Sequence, residues 1–369
     1  MGEGHNCFII AEAGVNHNGE VKLAEKLISI AKDAGATAVK FQTWKTEEIV
    51  TKKVPKPEYQ ITPQDESHYN MVKKLELSEK DFKRLADYAN KIGIIFLSTP
   101  EGKKGTDMLD ELSIPAYKIG SSDLTNYPHL EYVAKKGKPI ILSTGMATMK
   151  EVKEALDIIK NAGNNEIILL HCTSNYPTKL EDVNLRAMLT LEKEFKIPIG
   201  YSDHTIGIGV SVMAAYLGAR VIEKHITIDQ KLPGPDHSAS LEPNGLKEMI
   251  KGIKLVENNV VPENMLEISM RKISNKIAIE REVIENIERI LGSPIKKPVE
   301  SETEMILLSR KYLVAGKRIQ KGSIITEDMI GIKKSECGLE PKYLNMIIGK
   351  KTKQEIKKDE AILFEKVGD

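Results

Sequence analysis

Cysteine, aromatic side chains, long apolar runs and any excess of charge are what this 369-residue chain has little of. Its three cysteines, Cys7, Cys172 and Cys337, stand far apart, are odd in number and form no CxxC pair. That excludes a disulfide-built scaffold and a zinc ribbon, and it fits a reducing compartment. Lys and Arg number 54 against 53 Asp and Glu, a net charge of +1, so no global field draws the chain to nucleic acid or to an anionic membrane. No apolar run approaches the ~18–20 residues that a bilayer span requires. The stretch Met1–Cys7 is short and polar, which predicts no secretion signal and, with the thiol usage, a cytoplasmic location. Aromatics make up 5% while Lys, Glu and Ile abound, a balance that leans towards a heat-adapted source. What is present is 41% hydrophobic and 29% charged residues, enough for a sizeable core and too much for a disordered chain. The length suits one large domain of ~250–300 residues and a small one.

Eight short, β-branched apolar runs recur through the first part of the chain: 8–12, 37–42, 94–99, 116–121, 139–144, 166–172, 198–204 and 220–225. Between them lie amphipathic helical patterns, among them 20–35, 78–93 and 148–163, with Ser78 and Thr148 as N-caps and Gly35, Gly93 and Gly163 as stops. Strand then helix, eight times over, with near-continuous apolar strands, predicts an α/β fold: a (β/α)8 TIM barrel. Each strand is apolar until its C-terminal end, where reactive side chains appear: Glu12, Lys40 and Gln42, Thr99, Lys118 and Ser121, Ser143, then His171 to Asn175. Ser202, Asp203 and His204 follow on the seventh, and Glu223, Lys224 and His225 on the eighth. In this fold the ring of strand C-termini is the catalytic face. A polar, Pro-containing excursion over 43–77 reads as a lid or substrate wall. These patterns divide the chain into a barrel over 1–290, a Pro/Lys/Glu-rich linker over 291–306, and a small β-rich domain over 307–369.

Lys40 and Lys118 sit inside apolar strands, where an ammonium is costly unless paired or functional. They read either as salt-bridged lysines, or as an anion cradle with the hydroxyls of Ser121, Ser143 and Ser202, or as a Schiff-base amine. His204 and His225 end neighbouring strands and together can hold a divalent transition metal. Glu12 reads either as a helix-capping or lysine-pairing acid, or as a general base or a carboxylate facing developing positive charge. Asp236, in the loop LPGPDHSASLEP, is the residue there best suited to sugar hydroxyls.

The motifs EAGVNHNG, AVKFQT, FLSTP, AYKIGSSDLTN, ILSTGMAT, LLHCTSNYPT, GYSDHTIG, VIEKHIT and PGPDHSASLEP closely resemble the N-acetylneuraminate (sialic acid) synthase family. VAGKRIQKGSIITEDMI resembles its C-terminal antifreeze-like, or SAF (β-clip), domain. The resemblance implies an enzyme that condenses phosphoenolpyruvate with an N-acetylmannosamine-type aldehyde and water, giving a nonulosonic acid and phosphate. It implies phosphoenolpyruvate binding by Lys40, Thr99, Lys118, Ser121, Ser143, Ser174 and Ser202, and catalysis by Glu12. Gln42, Tyr176, Asp236 and Lys311 match the sugar side, and His204 and His225 match ligands of Mn²⁺, with Mg²⁺ or Co²⁺ as substitutes. It also implies a domain-swapped homodimer whose small domain covers the partner's barrel mouth. Lys311 stands where the family usually offers an Arg, Glu101 where bacterial members commonly have Phe, and Ser174 where some have Asn. The phosphoenolpyruvate cradle is expected to lie wholly within the barrel, so that a chain ending near Lys296 would keep it. A pyruvate-dependent aldolase and a non-catalytic polysaccharide-binding protein are the rival readings. The sugar itself (N-acetylmannosamine, its 6-phosphate or a 2,4-diacetamido-trideoxy hexose) is left open.

Overall fold

The computed structural model describes residues 6–60 and 66–368; residues 1–5 of the polar N-terminus and 61–65 of the excursion lie outside these. All eight expected strands form: β1 (Phe8–Gly14), β2 (Ala38–Thr43), β3 (Ile95–Pro100), β4 (Tyr117–Ile119), β5 (Ile140–Ser143), β6 (Ile167–His171), β7 (Ile199–Asp203) and β8 (Val221–His225). They pair in parallel in the order β3-β2-β1-β8-β7-β6-β5-β4, and β3 and β4 stand side by side to close the ring. The returning helices are α1 (Val21–Ala34), α2 (Glu79–Ile92), α3 (Gly102–Glu111), α4 (Tyr127–Ala134), α5 (Met149–Asn161), α6 (Leu185–Phe195), α7 (Gly209–Tyr216) and α8 (Pro243–Val256). The barrel read from the sequence is the observed fold.

Local chemistry explains the boundaries. Ser78 Oγ accepts the Asp81 N–H at 3.2 Å while Asp81 Oδ2 accepts the Ser78 N–H at 3.0 Å, and Thr148 with Glu151 repeats this box at the start of α5. Gly93, at φ 75°, ends α2 in the left-handed region that a Cβ disfavours. Helix α7 is buried on every side, because the later helices Leu266–Ile273 and Arg281–Glu285 cover its outer face.

The period of two along each strand positions the site. Ile10, Leu97, Ile141, Ile168 and Val221 point inward and form a dry plug. Two residues further along the same parity come Glu12, Thr99, Ser143 and Glu223, while Lys40 and Lys118 follow inward-facing Ala38 and Ala116. The excursion after β2 is a packed wall. Its short helices Thr46–Ile49 and His68–Leu75 hold an apolar cluster of Val15, Trp44, Ile49, Val54, Met71 and Leu75.

Beyond the barrel the linker is less irregular than its composition predicts. Residues 292–299 carry no regular structure, but a turn at Glu300–Glu302 leads into a helix, Thr303–Ser309, that crosses the expected border at 307. Leu307–Ser309, expected to open a strand, are therefore helical; Met305 and Ser309, one turn apart, are the side chains buried there. The small domain follows with β9 (Lys311–Ala315) antiparallel to β10 (Ile330–Lys334), over its own core of Leu313, Ile319, Ile325, Ile347, Ile356 and Ile362. Within this one chain it caps the mouth of its own barrel. Arg310 Nη2 donates to the Met146 carbonyl at 2.7 Å, Lys333 reaches the Glu47 carbonyl, and the Lys334 carbonyl accepts the Thr51 N–H at 3.0 Å.

Candidate active site

At the mouth the strand-end residues converge on one cavity, and one half of it carries an alternating row of charge, Glu12–Lys40–Glu223–Lys118. Lys40 Nζ lies 2.8 Å from Glu12 Oε2, 3.6 Å from Glu223 Oε2 and 3.1 Å from Thr99 Oγ1. Lys118 Nζ donates to Ser143 Oγ at 2.7 Å and lies 3.5 Å from Glu223 Oε1, which also accepts from Ser202 Oγ at 2.9 Å. All four charged groups are buried, so their charges interact with little screening by water. Burial drives the Glu12 carboxyl up to about 7, against the pull of Lys40 and with the push of Glu223. Burial opposes the ionised form of Glu223 as well, but Lys118 and Lys40 outweigh it and hold that carboxyl well below its usual range. Lys118 titrates low because it is desolvated, and Lys40 titrates high because two carboxylates outweigh its burial. The row therefore holds one firmly ionised carboxylate and one poised near neutral pH.

Ser121 and Ser174 enter from the loops after β4 and β6 and meet over Gly145. The Gly145 N–H donates to Ser121 Oγ at 3.0 Å, and a Cβ there would stand 2.3 Å from Ser174 Oγ and 2.8 Å from Ser121 Oγ. Only glycine lets the two hydroxyls approach so closely. All seven residues expected around phosphoenolpyruvate line this one cavity.

His204 and His225 are also brought together, with ring centroids 5.7 Å apart and Tyr176 packed over both at 4.3 and 5.7 Å. His204 Nδ1 sits 2.7 Å from the Thr173 carbonyl, which can only accept, so that nitrogen carries the proton and Nε2 keeps its lone pair. His225 Nδ1 is buried without a hydrogen-bond partner, 3.8 Å from Asp236 Oδ2. Burial pushes His204 down to about 4 and, with His204 beside it, pushes His225 well down, so both rings are neutral at pH 7. Two neutral imidazoles with an unpartnered ring nitrogen fit a divalent ion. Among the described residues no third His, Cys, Asp or Glu completes a ligand cluster, so further ligands would come from water or substrate. His171 is no part of this pair: its Nε2 is held by the Val183 carbonyl at 2.9 Å.

The other half of the cavity takes its walls from the excursion and the cap. Gln42 Nε2 donates to Glu12 Oε1 at 3.1 Å, and Asp236 is raised by burial to about 6. Lys311 departs from expectation. It is 2% exposed, with Nζ 2.7 Å from Asp123 Oδ2 and 3.3 Å from Glu101 Oε2, and does not line the cavity. Two carboxylates of the barrel engage its ammonium, so it clasps cap to barrel. The cap side chains at the cavity are Met305, Ser309 and Lys334, none of which the sequence singled out. Glu223 was visible as a strand-end residue, and its parity with His225 was the signal that it points inward.

Residues 27–263 match the NeuB family and residues 310–368 match the SAF domain. Over 96% of its length the chain is 43% identical to the N,N'-diacetyllegionaminic acid synthase of Campylobacter jejuni, covering 98% of that protein. It is 37% identical to the human N-acetylneuraminate-9-phosphate synthase, with 100% of this chain and 94% of that one covered. Among solved structures, the spore coat polysaccharide biosynthesis protein spsE of Bacillus subtilis superposes with a TM-score of 0.80 at 33% identity, covering 100% of this chain and 97% of that one.

Proposed function

The chain belongs to the NeuB family, and from that premise we propose that it is a phosphoenolpyruvate-dependent synthase, joining the three-carbon enol phosphate to an amino-sugar aldehyde to give a nonulosonic acid. The observation that carries the reading is the buried Glu12–Lys40–Glu223–Lys118 row standing beside a neutral histidine pair at one barrel mouth. Lys40, Lys118 and the hydroxyls of Thr99, Ser121, Ser143, Ser174 and Ser202 bind the carboxylate and phosphate. C3 of the enol phosphate forms the new bond to the aldehyde carbon, whose oxygen takes a proton. Positive charge then develops at C2, beside the ionised Glu223. Glu12, held by Lys40 and Gln42, accepts a proton from the water that adds there. The C2–O bond to phosphate breaks, so the phosphate keeps the bridging oxygen and the 2-keto acid keeps the oxygen of water. A divalent ion such as Mn²⁺ on His204 and His225 would supply Lewis-acid polarisation of the aldehyde. The cap excludes water that would hydrolyse the enol phosphate.

The sugar wall favours an uncharged, N-acylated deoxyhexose over a sugar 6-phosphate. Trp44, Ile49, Met71, Leu75 and Met305 line it with apolar surface, and the Lys334 that lines it lies in the field of Glu101, whose carboxylate also engages Lys311. A homodimer would cover the apolar side chains left exposed near the mouth and linker, Ile206, Ile295 and Leu307, and an exchange of caps would carry to the second barrel the contacts that the cap makes here within its own chain. Sedimentation of the intact protein tests it.

The decisive experiment follows phosphate release from bridge-¹⁸O phosphoenolpyruvate with Mn²⁺ and a panel of amino-sugar aldehydes. Label in the phosphate is the expected result; no release with any aldehyde overturns the reading. The low-titrating amine of Lys118 is what favours the aldolase alternative. That reading requires a pyruvate imine, which borohydride would trap on the protein and which the synthase does not form.

A further inference from the structure

We propose that Glu302, outside the barrel at the root of the cap, is a positioning residue for phosphoenolpyruvate binding. This rests on the reading that Ser121 and Ser174 face that substrate. Glu302 is 1% exposed, and its carboxylate meets backbone N–H groups of two strand-end loops. Oε1 accepts the N–H of Met146 at 2.7 Å and that of Ser174 at 2.8 Å, while Oε2 accepts the N–H of Val299 at 3.1 Å. One oxygen thus ties together the loops after β5 and β6, which carry Gly145 and Ser174 of the cluster that Ser121 joins from the loop after β4.

Met146 shows why the tie is needed. It follows Gly145 directly and stands at φ 60°, a left-handed conformation that a side-chain-bearing residue holds only when its surroundings over-determine it. Its N–H is taken by Glu302 and its carbonyl by Arg310 Nη2 at 2.7 Å, both from the segment that leads into the cap. Released from that grip, Met146 relaxes, Gly145 turns with it, and the Gly145 N–H no longer orients Ser121 Oγ. Ser174 is displaced by the same event, because its own N–H loses its acceptor. The charge of Glu302 is met by Lys296, also buried, from the linker. The cradle therefore does not lie wholly within the barrel, as the sequence led us to expect. Its final shape depends on a carboxylate from the connection to the cap, and a chain ending near Lys296 would lack it.

The test measures phosphoenolpyruvate binding by calorimetry in the full-length protein with Mn²⁺, together with both KM values, for wild type and for Glu302→Ala, Glu302→Asp and Glu302→Gln. Glu302→Ala is expected to weaken phosphoenolpyruvate binding by ~10-fold or more, as a displaced binding loop does. The sugar KM at saturating phosphoenolpyruvate should stay within about threefold, since Glu302 touches nothing on that side. Glu302→Gln keeps an oxygen that accepts both N–H groups and should recover most of the loss, while Glu302→Asp, one methylene short, should not. If Glu302→Ala fails to fold, the order Gln tighter than Asp carries the result, and Asp binding as tightly as wild type overturns the assignment. An Ala variant that binds phosphoenolpyruvate like wild type, or both KM values moving together without rescue by Gln, overturns it too. A wild type that binds no phosphoenolpyruvate overturns the functional reading and this assignment together.

Discussion

Lys311→Met is the perturbation that separates a clasp from a sugar contact. The wild-type ammonium lies between Asp123 and Glu101, at 2.7 and 3.3 Å, and all three groups are buried. Removing one partner of a buried ion pair typically costs about 3–5 kcal/mol, because the charge left behind is unpaired. Two features place this case at the lower end: Asn126 Nδ2 still donates to Asp123 Oδ1 at 2.7 Å, and Glu101 remains in the field of Lys334. A loss of about 3 kcal/mol shifts the seating of the cap by roughly 150-fold. Hydrogen exchange should therefore quicken across the linker 292–299 and β9, and Asp123→Asn should reproduce the effect, with the double variant little worse than either single one. Burial raises both carboxyls, but the lysines outweigh it and both titrate below their usual range, while Lys311 titrates above its own. The clasp is then complete above the unfolded carboxyl values of 3.8 and 4.5, and it fails as pH falls through the lower folded ones. At the alkaline end it is complete below the unfolded lysine value of 10.5 and is lost as pH rises through the higher folded one. Cap protection should thus be flat across neutral pH. Unchanged exchange in Lys311→Met, with a sugar KM raised tenfold or more, would refute the clasp and return Lys311 to the role that the family resemblance implied.

Three further outcomes follow from the site. With Glu12 raised by burial to about 7, kcat/KM should climb with pH through that value as the base loses its proton, and Glu12→Gln should abolish the climb and lower kcat by ~10²–10⁴. The His204→Ala, His225→Ala double variant should melt within about 4 °C of wild type yet lose stoichiometric Mn²⁺ by elemental analysis, since strand-end residues on this face serve chemistry more than fold; full metal content would end the assignment. Gly145→Ala drives a methyl into the Ser174 and Ser121 hydroxyls, so the KM for phosphoenolpyruvate should rise ~10-fold or more with the sugar KM unmoved, and an unchanged value would show that this cluster is not its binding site.

The barrel and most of its mouth were legible because both are written in local pattern. Apolar runs such as EIILLHC and caps such as Ser78 with Asp81 are short-range signals, and period two then aims Lys40, Gln42, Glu223 and His225 inward. What eluded sequence reasoning depends on partners far along the chain. The family resemblance matched Lys311 to the sugar side, and nothing near it in the chain announces Asp123 and Glu101, each roughly two hundred residues away. Glu302 sits in a polar, Pro-rich stretch that reads as solvated, and its burial depends on backbone amides, which carry no sequence signature. The helix Thr303–Ser309 was missed because a single turn burying Met305 and Ser309 is too short to show a period.

The excursion after β2, with its private core around Trp44, Met71 and Leu75, has a consequence for how this protein can change over generations. Its apolar cluster is separate from the barrel plug, so substitutions within it leave that plug and the charged row at the strand ends undisturbed. A revised surface insertion can thus alter the aldehyde that the site accepts while the residues that handle the enol phosphate keep their packing. The cap is less free. Glu302 and Arg310 at its root hold Met146, so the segment that joins cap to barrel is tied to the acid side, and a drifting cap would have to keep those two residues even as the surface it turns to the sugar is rewritten.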